Sequence, residues 1–158
     1  MIDPAKSTRR RSPLGPAVIA ISTILLAFPA RAFFHDAADV ERGRILYEER
    51  CASCHGTNLE GQANWQSARE DGTYPAPPHD ETGHTWHHGD AMLRDYVRRG
   101  GQAVLDDMGV DFVSGMPGFG DELTADDIEA ILDYIKSTWP DRIRAAQSDR
   151  SRMEEGAP

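Results

Sequence analysis

The pentapeptide Cys51-Ala52-Ser53-Cys54-His55 places two cysteines three positions apart and a histidine directly after the second. It contains the only two cysteines of the chain, so a long-range disulfide framework is excluded. The spacing is that of covalent c-type haem attachment, in which two thiols reach the two vinyl groups and the adjacent imidazole turns onto the iron. We therefore predict that Cys51 and Cys54 bind one haem c covalently and that His55 is a ligand of its iron.

Three other chemistries also use paired cysteines. A zinc site needs about four protein ligands, which here would have to include histidines from the segment that follows. A thioredoxin-like redox pair would follow a strand in a βαβ pattern, whereas a helical pattern precedes Cys51. A disulfide between Cys51 and Cys54 would close too small a loop to stabilise the fold much. Haem attachment is therefore the favoured interpretation.

The N-terminal region has the three parts of a secretory signal. Basic residues come first, an apolar run of 15 residues occupies positions 14–28, and Ala30-Arg31-Ala32 forms a small-x-small cleavage site. We predict a signal peptide over residues 1–32, and the alternative is an uncleaved anchor. Because about 20 apolar residues are needed to span a bilayer, we expect cleavage and a soluble periplasmic protein, with membrane attachment only if the segment is retained.

The charge of the expected mature chain is strongly negative. Removing residues 1–32 takes five basic and one acidic side chain from totals of 17 and 26, which leaves 12 and 25, a net charge of −13. Such a chain is a poor partner for nucleic acid. A redox partner with a basic or apolar patch is the natural complement.

Helical periodicity predicts a mostly α single domain with three or four short helices. The first runs from Asp39 to Arg50, and a second follows Asp90 as N-cap and ends at Gly100-Gly101, after which irregular chain returns. The last helix has Thr124 as N-cap and is limited by Pro140. Asp127 is placed to complete a capping box with Thr124, and Leu123 and Ile128 are placed as a hydrophobic staple. The apolar stripe of this helix consists of Ile128, Ile131, Leu132 and Ile135.

The segment between the first two helices lacks periodicity and is rich in Gly, Pro and His. Residues 74–88 of this segment, the histidine-rich loop, contain four histidines. These histidines could bind a second metal, or one of them could replace the methionine on the haem iron. Alternatively, the histidines or Trp65 and Trp86 could contact the haem propionates. The favoured hypothesis is that the loop covers the haem. We place the cofactor-binding domain at residues 33–140 and expect a charged, flexible C-terminal tail over residues 141–158.

The chain resembles a class I c-type cytochrome of a bacterial kind, with a single haem, over residues 39–139. The resemblance rests on features in the expected order: Gly43 and Tyr47 before the motif, the motif itself, Met116-Pro117 downstream, and Tyr134 in the final helix. It implies that Met116 is the second axial ligand of the iron, with Met108 as the closest rival. It also implies that the first and last helices cross closely, a small residue meeting an aromatic one, and Gly43 and Tyr134 match those roles.

The resemblance further implies an electron carrier and not an enzyme, with no residue acting as a catalytic acid, base or nucleophile. We expect single-electron transfer between a periplasmic dehydrogenase or membrane complex and a terminal acceptor or oxidase, as a free protein or as a subunit of an oxidoreductase complex. The alternatives are a haem-based enzyme or sensor with a displaceable sixth ligand, and a metal-binding protein that uses the histidine-rich loop.

Overall fold

The computed structural model describes residues 36–156, so the predicted signal peptide lies outside the described residues. The mostly α class is confirmed: within residues 36–156 there is no strand, and the one extended pairing is an isolated bridge between Thr73 and Val113. The helices are α1 Ala37–Arg50, α2 Ala52–His55, a 3-10 helix Thr85–His87, α3 Asp90–Arg99, α4 Gly101–Asp107, α5 Ala125–Ser137 and α6 Asp141–Glu155.

The first helix starts and ends close to its predicted bounds. Asp36 caps α1 by accepting a hydrogen bond from the backbone N–H of Ala38, which satisfies one of the free donors of the first turn. Gly43 and Tyr47, one turn apart, are buried on the same face. The C-cap of α1 is Cys51, so the helix delivers the chain directly into the motif.

The last predicted helix, α5, forms as its sequence indicates. Thr124 and Asp127 make both hydrogen bonds of a capping box, and Leu123 and Ile128 are both buried beside it. Helix α5 contributes more buried apolar residues than any other helix, and Trp139, two residues after its end, adds to them. The largest buried apolar side chains there are Ile128, Ile131, Leu132, Ile135 and Trp139.

Helices α1 and α5 cross at very close range. A Cβ atom built on Gly43 would overlap the backbone carbonyl of Ala130, so only glycine allows this approach. The aromatic ring near the crossing is Tyr134, but it packs against Tyr47, with ring centroids 5.4 Å apart. Gly43 therefore meets the backbone of α5 at Ala130, and Tyr134, four residues further along α5, packs on Tyr47. An ion pair between Arg42 and Asp127 joins the same two helices.

The region after α3 differs from the prediction. Gly100 ends α3 with a φ of 86°, as expected of a C-cap glycine, but Gly101 then begins α4 where irregular chain is predicted. The N-cap of α3 is Gly89, and Asp90 is the first helical residue. Asp90 uses its carboxylate to pair with Lys136 of α5 at 2.6 Å. The prediction that Asp90 is the N-cap is therefore wrong, because its side chain makes a tertiary contact instead.

The C-terminal segment also differs from the prediction, because residues 141–155 form the packed helix α6 where a loosely ordered tail is expected. Ile143 and Gln147 are buried. Glu154 accepts hydrogen bonds from the backbone N–H groups of Gly89 and Ala91, at 3.0 and 3.2 Å. The sequence of α6 is highly charged, which is typical of an exposed tail. Because only a narrow face of the helix is buried, its sequence shows little hydrophobic periodicity.

None of the helices within residues 36–156 has the length and apolarity that a bilayer span requires.

Candidate functional site

The motif lies on a helical turn directly after α1. Because α2 is helical, Cys51 and Cys54 are neighbours on one face, three residues apart. The thiol of Cys51 is partly buried and that of Cys54 is exposed. His55 is only 8% exposed. The structure thus brings together the three side chains that the sequence singles out, with the imidazole turned inward.

The imidazole of His55 is held in one orientation and one tautomer. Its Nδ1–H donates a hydrogen bond to the backbone carbonyl of Pro77, at 2.9 Å, which leaves the lone pair on Nε2. Burial lowers the pKa of His55 below its ordinary value, although the bond to Pro77 opposes this shift. The ring is therefore neutral at pH 7. A neutral imidazole whose other nitrogen is tied to a carbonyl is the usual form of a metal-binding histidine.

The thiol chemistry of the motif argues against a redox pair. Burial, and to a lesser degree the neighbouring Cys54, raises the pKa of Cys51 to about 11. A thioredoxin-like cysteine needs the opposite, a lowered pKa that supplies thiolate at neutral pH. The helix α1 precedes the motif, and not the strand that the redox interpretation requires. The thiol of Cys51 is thus poorly suited to thiol exchange.

The loop after the motif is tied back to it by backbone hydrogen bonds. The N–H of Gly61 donates to the carbonyl of His55 at 2.8 Å, and the N–H of His79 donates to the carbonyl of Leu59 at 2.8 Å. The phenol of Tyr47 donates to the carbonyl of Gly56 at 3.0 Å. Apart from the 3-10 helix, the segment is irregular as predicted. It is nevertheless fixed against the motif rather than free in solvent.

The four loop histidines do not converge as a set of metal ligands in the part of the chain that the structure describes. Across residues 36–156, no three His, Cys, Asp or Glu side chains converge as a ligand set, so the hypothesis of a second metal gains no support. Instead the rings stack on aromatic neighbours: His84 on Trp65 at 5.5 Å and His87 on Trp86 at 3.7 Å between centroids. His88 packs edge-on to His84 and stacks at longer range on a tyrosine of α3, Tyr96.

His79 lies against His55 in a near-parallel stack. The ring centroids are 4.0 Å apart and the planes differ by 30°. Two imidazoles that bind one metal ion from opposite sides face each other through it, with centroids roughly 6 Å apart for metal–nitrogen distances of about 2 Å. The observed stack does not have that arrangement. His79 therefore lies beside His55 and not opposite it, which argues against His79 as a second axial ligand.

Trp86 provides the clearest indication of a missing polar partner. Its indole Nε1–H is buried, and no group within residues 36–156 accepts a hydrogen bond from it. A buried donor without an acceptor costs about 1–3 kcal/mol, so such groups in native proteins call for a partner. A haem propionate is an acceptor of the required kind. This orphaned donor fits the predicted role of Trp86 in contacting propionates.

The two rival methionines differ in their surroundings. Met116 is partly buried and packs against the main core cluster. Its N–H donates to Oγ of Ser114 at 3.2 Å, and its carbonyl accepts from the N–H of Gly101 at 3.0 Å. Met108, by contrast, is 52% exposed. A thioether that binds a buried metal has to reach the core, so the structure favours Met116.

The donor set fits the predicted haem: two neighbouring thiols, a neutral inward imidazole, a core-facing thioether and a buried N–H without an acceptor. Three features of the surroundings of this site leave no sequence signal of their own. Any residue carries the carbonyl that Pro77 uses, and the His79–His55 contact follows only from the path of the loop. The orphaned donor of Trp86 likewise emerges only once burial is known.

Comparison with known proteins supports the same cofactor. The family model described as cytochrome c matches residues 40–139, which is well over half of the chain. Neither the curated proteins nor the solved structures contain a significant match. Members of the matched family bind haem c covalently and are generally electron carriers rather than enzymes. The matched residues run from α1 to Trp139 and include the whole motif, and the chain therefore belongs to the cytochrome c family.

Proposed function

We propose that this chain is a periplasmic, monohaem c-type cytochrome that carries single electrons between a dehydrogenase or membrane complex and a terminal acceptor or oxidase. The observation that carries the proposal is the geometry of the motif. Two cysteines at attachment spacing stand beside a buried His55 whose Nδ1–H is bound to Pro77, so Nε2 is free to bind iron.

Each site residue has a distinct role in this proposal. Cys51 and Cys54 would hold the haem through thioether bonds, and His55 and Met116 would bind its iron. Ligation by histidine and methionine raises the reduction potential, which suits an electron carrier. The bound haem supplies exchange of one electron between ferric and ferrous iron.

The role of the protein is to fix the ligands and to limit water around them. His55 is held by Pro77 in its ring plane, and the backbone of Met116 is held by Ser114 and Gly101. With both axial positions taken by the chain, small molecules would find no open site on the iron. This separates a carrier from a haem-based enzyme or sensor, which needs a displaceable ligand.

The location and partners belong to the same proposal. The predicted signal over residues 1–32 supports export to the periplasm, where haem is attached to such motifs. The expected net charge of −13 supports a partner with a basic or apolar patch, either a separate redox protein or a neighbouring subunit of a complex. Electrostatic attraction of this kind mainly speeds encounter and weakens with added salt.

The experiment that tests the proposal is metal analysis of the matured protein, followed by addition of carbon monoxide to its reduced form. We expect one iron per chain and no change of the absorption spectrum with carbon monoxide at neutral pH. Zinc or copper without stoichiometric iron would contradict the cytochrome, and tight carbon monoxide binding would favour the enzyme or sensor instead.

A further inference from the structure

A second histidine packs directly on the imidazole that the proposed function assigns to iron. We propose that His79 is a positioning residue for His55: it restricts rotation of the His55 ring and shields one face of that ring from water. The inference rests on the proposed function, because it concerns His55 as an iron ligand. The inference goes further than the proposed function, because it assigns a role to His79, a residue of the histidine-rich loop outside the attachment motif.

The rings of His79 and His55 are in close face-to-face contact. Their centroids are 4.0 Å apart with an interplanar angle of 30°, so the face of one imidazole covers the face of the other. Pro77 already holds Nδ1 of His55 within the ring plane. A hydrogen bond in the plane leaves the ring free to tilt about that bond, whereas a stacked neighbour opposes the tilt. The hydrogen bond to Pro77 and the stack on His79 together restrict both rotation of the His55 ring within its plane and tilting of the ring out of that plane.

His79 can act in this way because its own ring is anchored. Its Nδ1 shares a hydrogen bond of 2.9 Å with Oγ1 of Thr85, which is itself buried in the 3-10 helix. Tyr47, which is fully buried, approaches the His79 ring edge-on with centroids 6.1 Å apart. The ring is therefore held at its nitrogen and packed against an immobile neighbour. It cannot retreat from His55 without disturbing the core.

The backbone of His79 is fixed at both of its polar groups. Its N–H donates to Leu59, four residues after His55, at 2.8 Å. Its carbonyl accepts a hydrogen bond of 2.7 Å from the indole N–H of Trp139, which is buried after the end of α5. These bonds connect the position of His79 to the motif on one side and to the core on the other. The His79–His55 contact is thus built into the fold.

A positioning role predicts effects on the iron rather than on folding alone. Groups that contact the iron ligands, together with the burial of the site, set the reduction potential of a haem iron. Removing the His79 ring would let water reach the face of His55, and the higher local polarity would stabilise the ferric state, which carries one more positive charge. Loss of the ring would also let His55 adopt several orientations, which electron paramagnetic resonance of the ferric protein reports as broadened or shifted g-values.

The test compares three variants of the matured holoprotein with the wild type. We expect His79→Ala to shift the ratio of reduced to oxidised protein at a fixed potential about threefold toward the oxidised form, or about 30 mV for one electron, and to broaden the g-values. His79→Phe keeps a ring in the stack but loses the hydrogen bond to Thr85, so its g-values should lie between those of the wild type and those of His79→Ala. Glu81→Gln changes an exposed side chain of the same loop, and should leave the g-values unchanged.

Unchanged g-values and potential in His79→Ala would overturn the inference. If that variant does not yield folded holoprotein, Thr85→Val decides, because it keeps the side-chain volume and removes the anchor of Nδ1. Broadened g-values in Thr85→Val would support the positioning role, and wild-type values would overturn it. A wild-type chain that matures without haem is a different outcome, since it would remove the proposed function and the inference together.

Discussion

At position 43 the chain has room for a hydrogen atom and nothing larger. The carbonyl of Ala130 occupies the space that a Cβ would take, and this contact sets the distance between α1 and α5. We expect Gly43→Ala to lower the free energy of unfolding by about 1–3 kcal/mol or more, because backbone has to move to relieve the overlap. Gly115→Ala is the matched control, since a Cβ there meets nothing within 4 Å. Equal stability of the two variants by chemical denaturation would show that the helices are not in close contact.

Substitution of single residues can test whether Met116 or Met108 is the methionine that binds the iron. We expect Met116→Ala to remove the iron–sulfur charge-transfer band of the ferric protein and to lower the reduction potential, because a thioether ligand favours ferrous iron. Met108→Ala should change neither, since Met108 is 52% exposed. Absorption spectra and redox titrations of both proteins measure this. Loss of the band in Met108→Ala alone would transfer the ligand role to that residue.

The residues of the site differ in how well sequence could predict them. Cys51, Cys54 and His55 follow from spacing, because covalent attachment demands those residue types at those positions. The partners of His55 could not be predicted in this way. Pro77 acts through a backbone carbonyl that any residue would provide, and His79 reaches the site only because of the path of an irregular loop. Local spacing encodes the attachment chemistry, whereas the surroundings of His55 depend on the tertiary structure.

At the scale of elements, α6 supplies a cap that α3 lacks. No side chain next to the start of α3 caps it, and Glu154 bonds to the N–H groups of Gly89 and Ala91 from 63 or more residues away. We expect Glu154→Ala to lower the free energy of unfolding by about 0.5–2 kcal/mol, the usual cost of losing an N-terminal cap. Thermal unfolding with the exposed neighbour Glu155→Ala as control measures this. A loss of the same size in both variants would count against the capping role.

Asp90 joins α3, α5 and α6 and makes this junction sensitive to pH. Desolvation raises the pKa of Asp90, but the charge and hydrogen bond of Lys136 and a hydrogen bond from Gln147 outweigh it, so the net pKa lies below its ordinary value. The ionised carboxylate thus stabilises the fold above the ordinary pKa of about 3.9, and this contribution is lost as the pH falls through the lower native value.

We accordingly expect Asp90→Asn to lower the free energy of unfolding by about 1–2 kcal/mol at neutral pH, between the values for exposed and buried pairs. The difference from the wild type should shrink as the pH falls below about 4. Urea denaturation at a series of pH values measures it. A difference that stays constant down to the acid range would show that Asp90 acts through packing and not through its charge.

The elements that could be predicted are those with complete local signals. Helix α5 has an N-cap, a capping box, a staple and an apolar stripe, and all of them form. Helix α4 directly follows a C-cap glycine, so the signal that ends α3 hides the start of the next helix. Helix α6 has a highly charged sequence, and it is anchored by polar contacts of Gln147 and Glu154 that have no hydrophobic period.

At the scale of the whole molecule, the family match ends at Trp139 while the packed structure continues through α6. Within residues 36–156, the C-terminal helix contacts the 3-10 helix and the start of α3, next to the segment that carries Trp86. It therefore stabilises the loop that surrounds the candidate site. The mostly α class could be predicted from the helical periodicity, and the cytochrome c family from the resemblance carried by the motif and Met116-Pro117. The contribution of this helix could not be predicted.

A redox titration of the matured protein, followed by its absorption spectrum, shows whether the chain carries one covalent haem that exchanges single electrons. We expect a c-type haem spectrum whose changes follow one reversible one-electron curve, with a tenfold change in the ratio of reduced to oxidised protein for each 59 mV. A protein without a haem spectrum, or a two-electron curve such as a dithiol pair gives, would contradict this expectation.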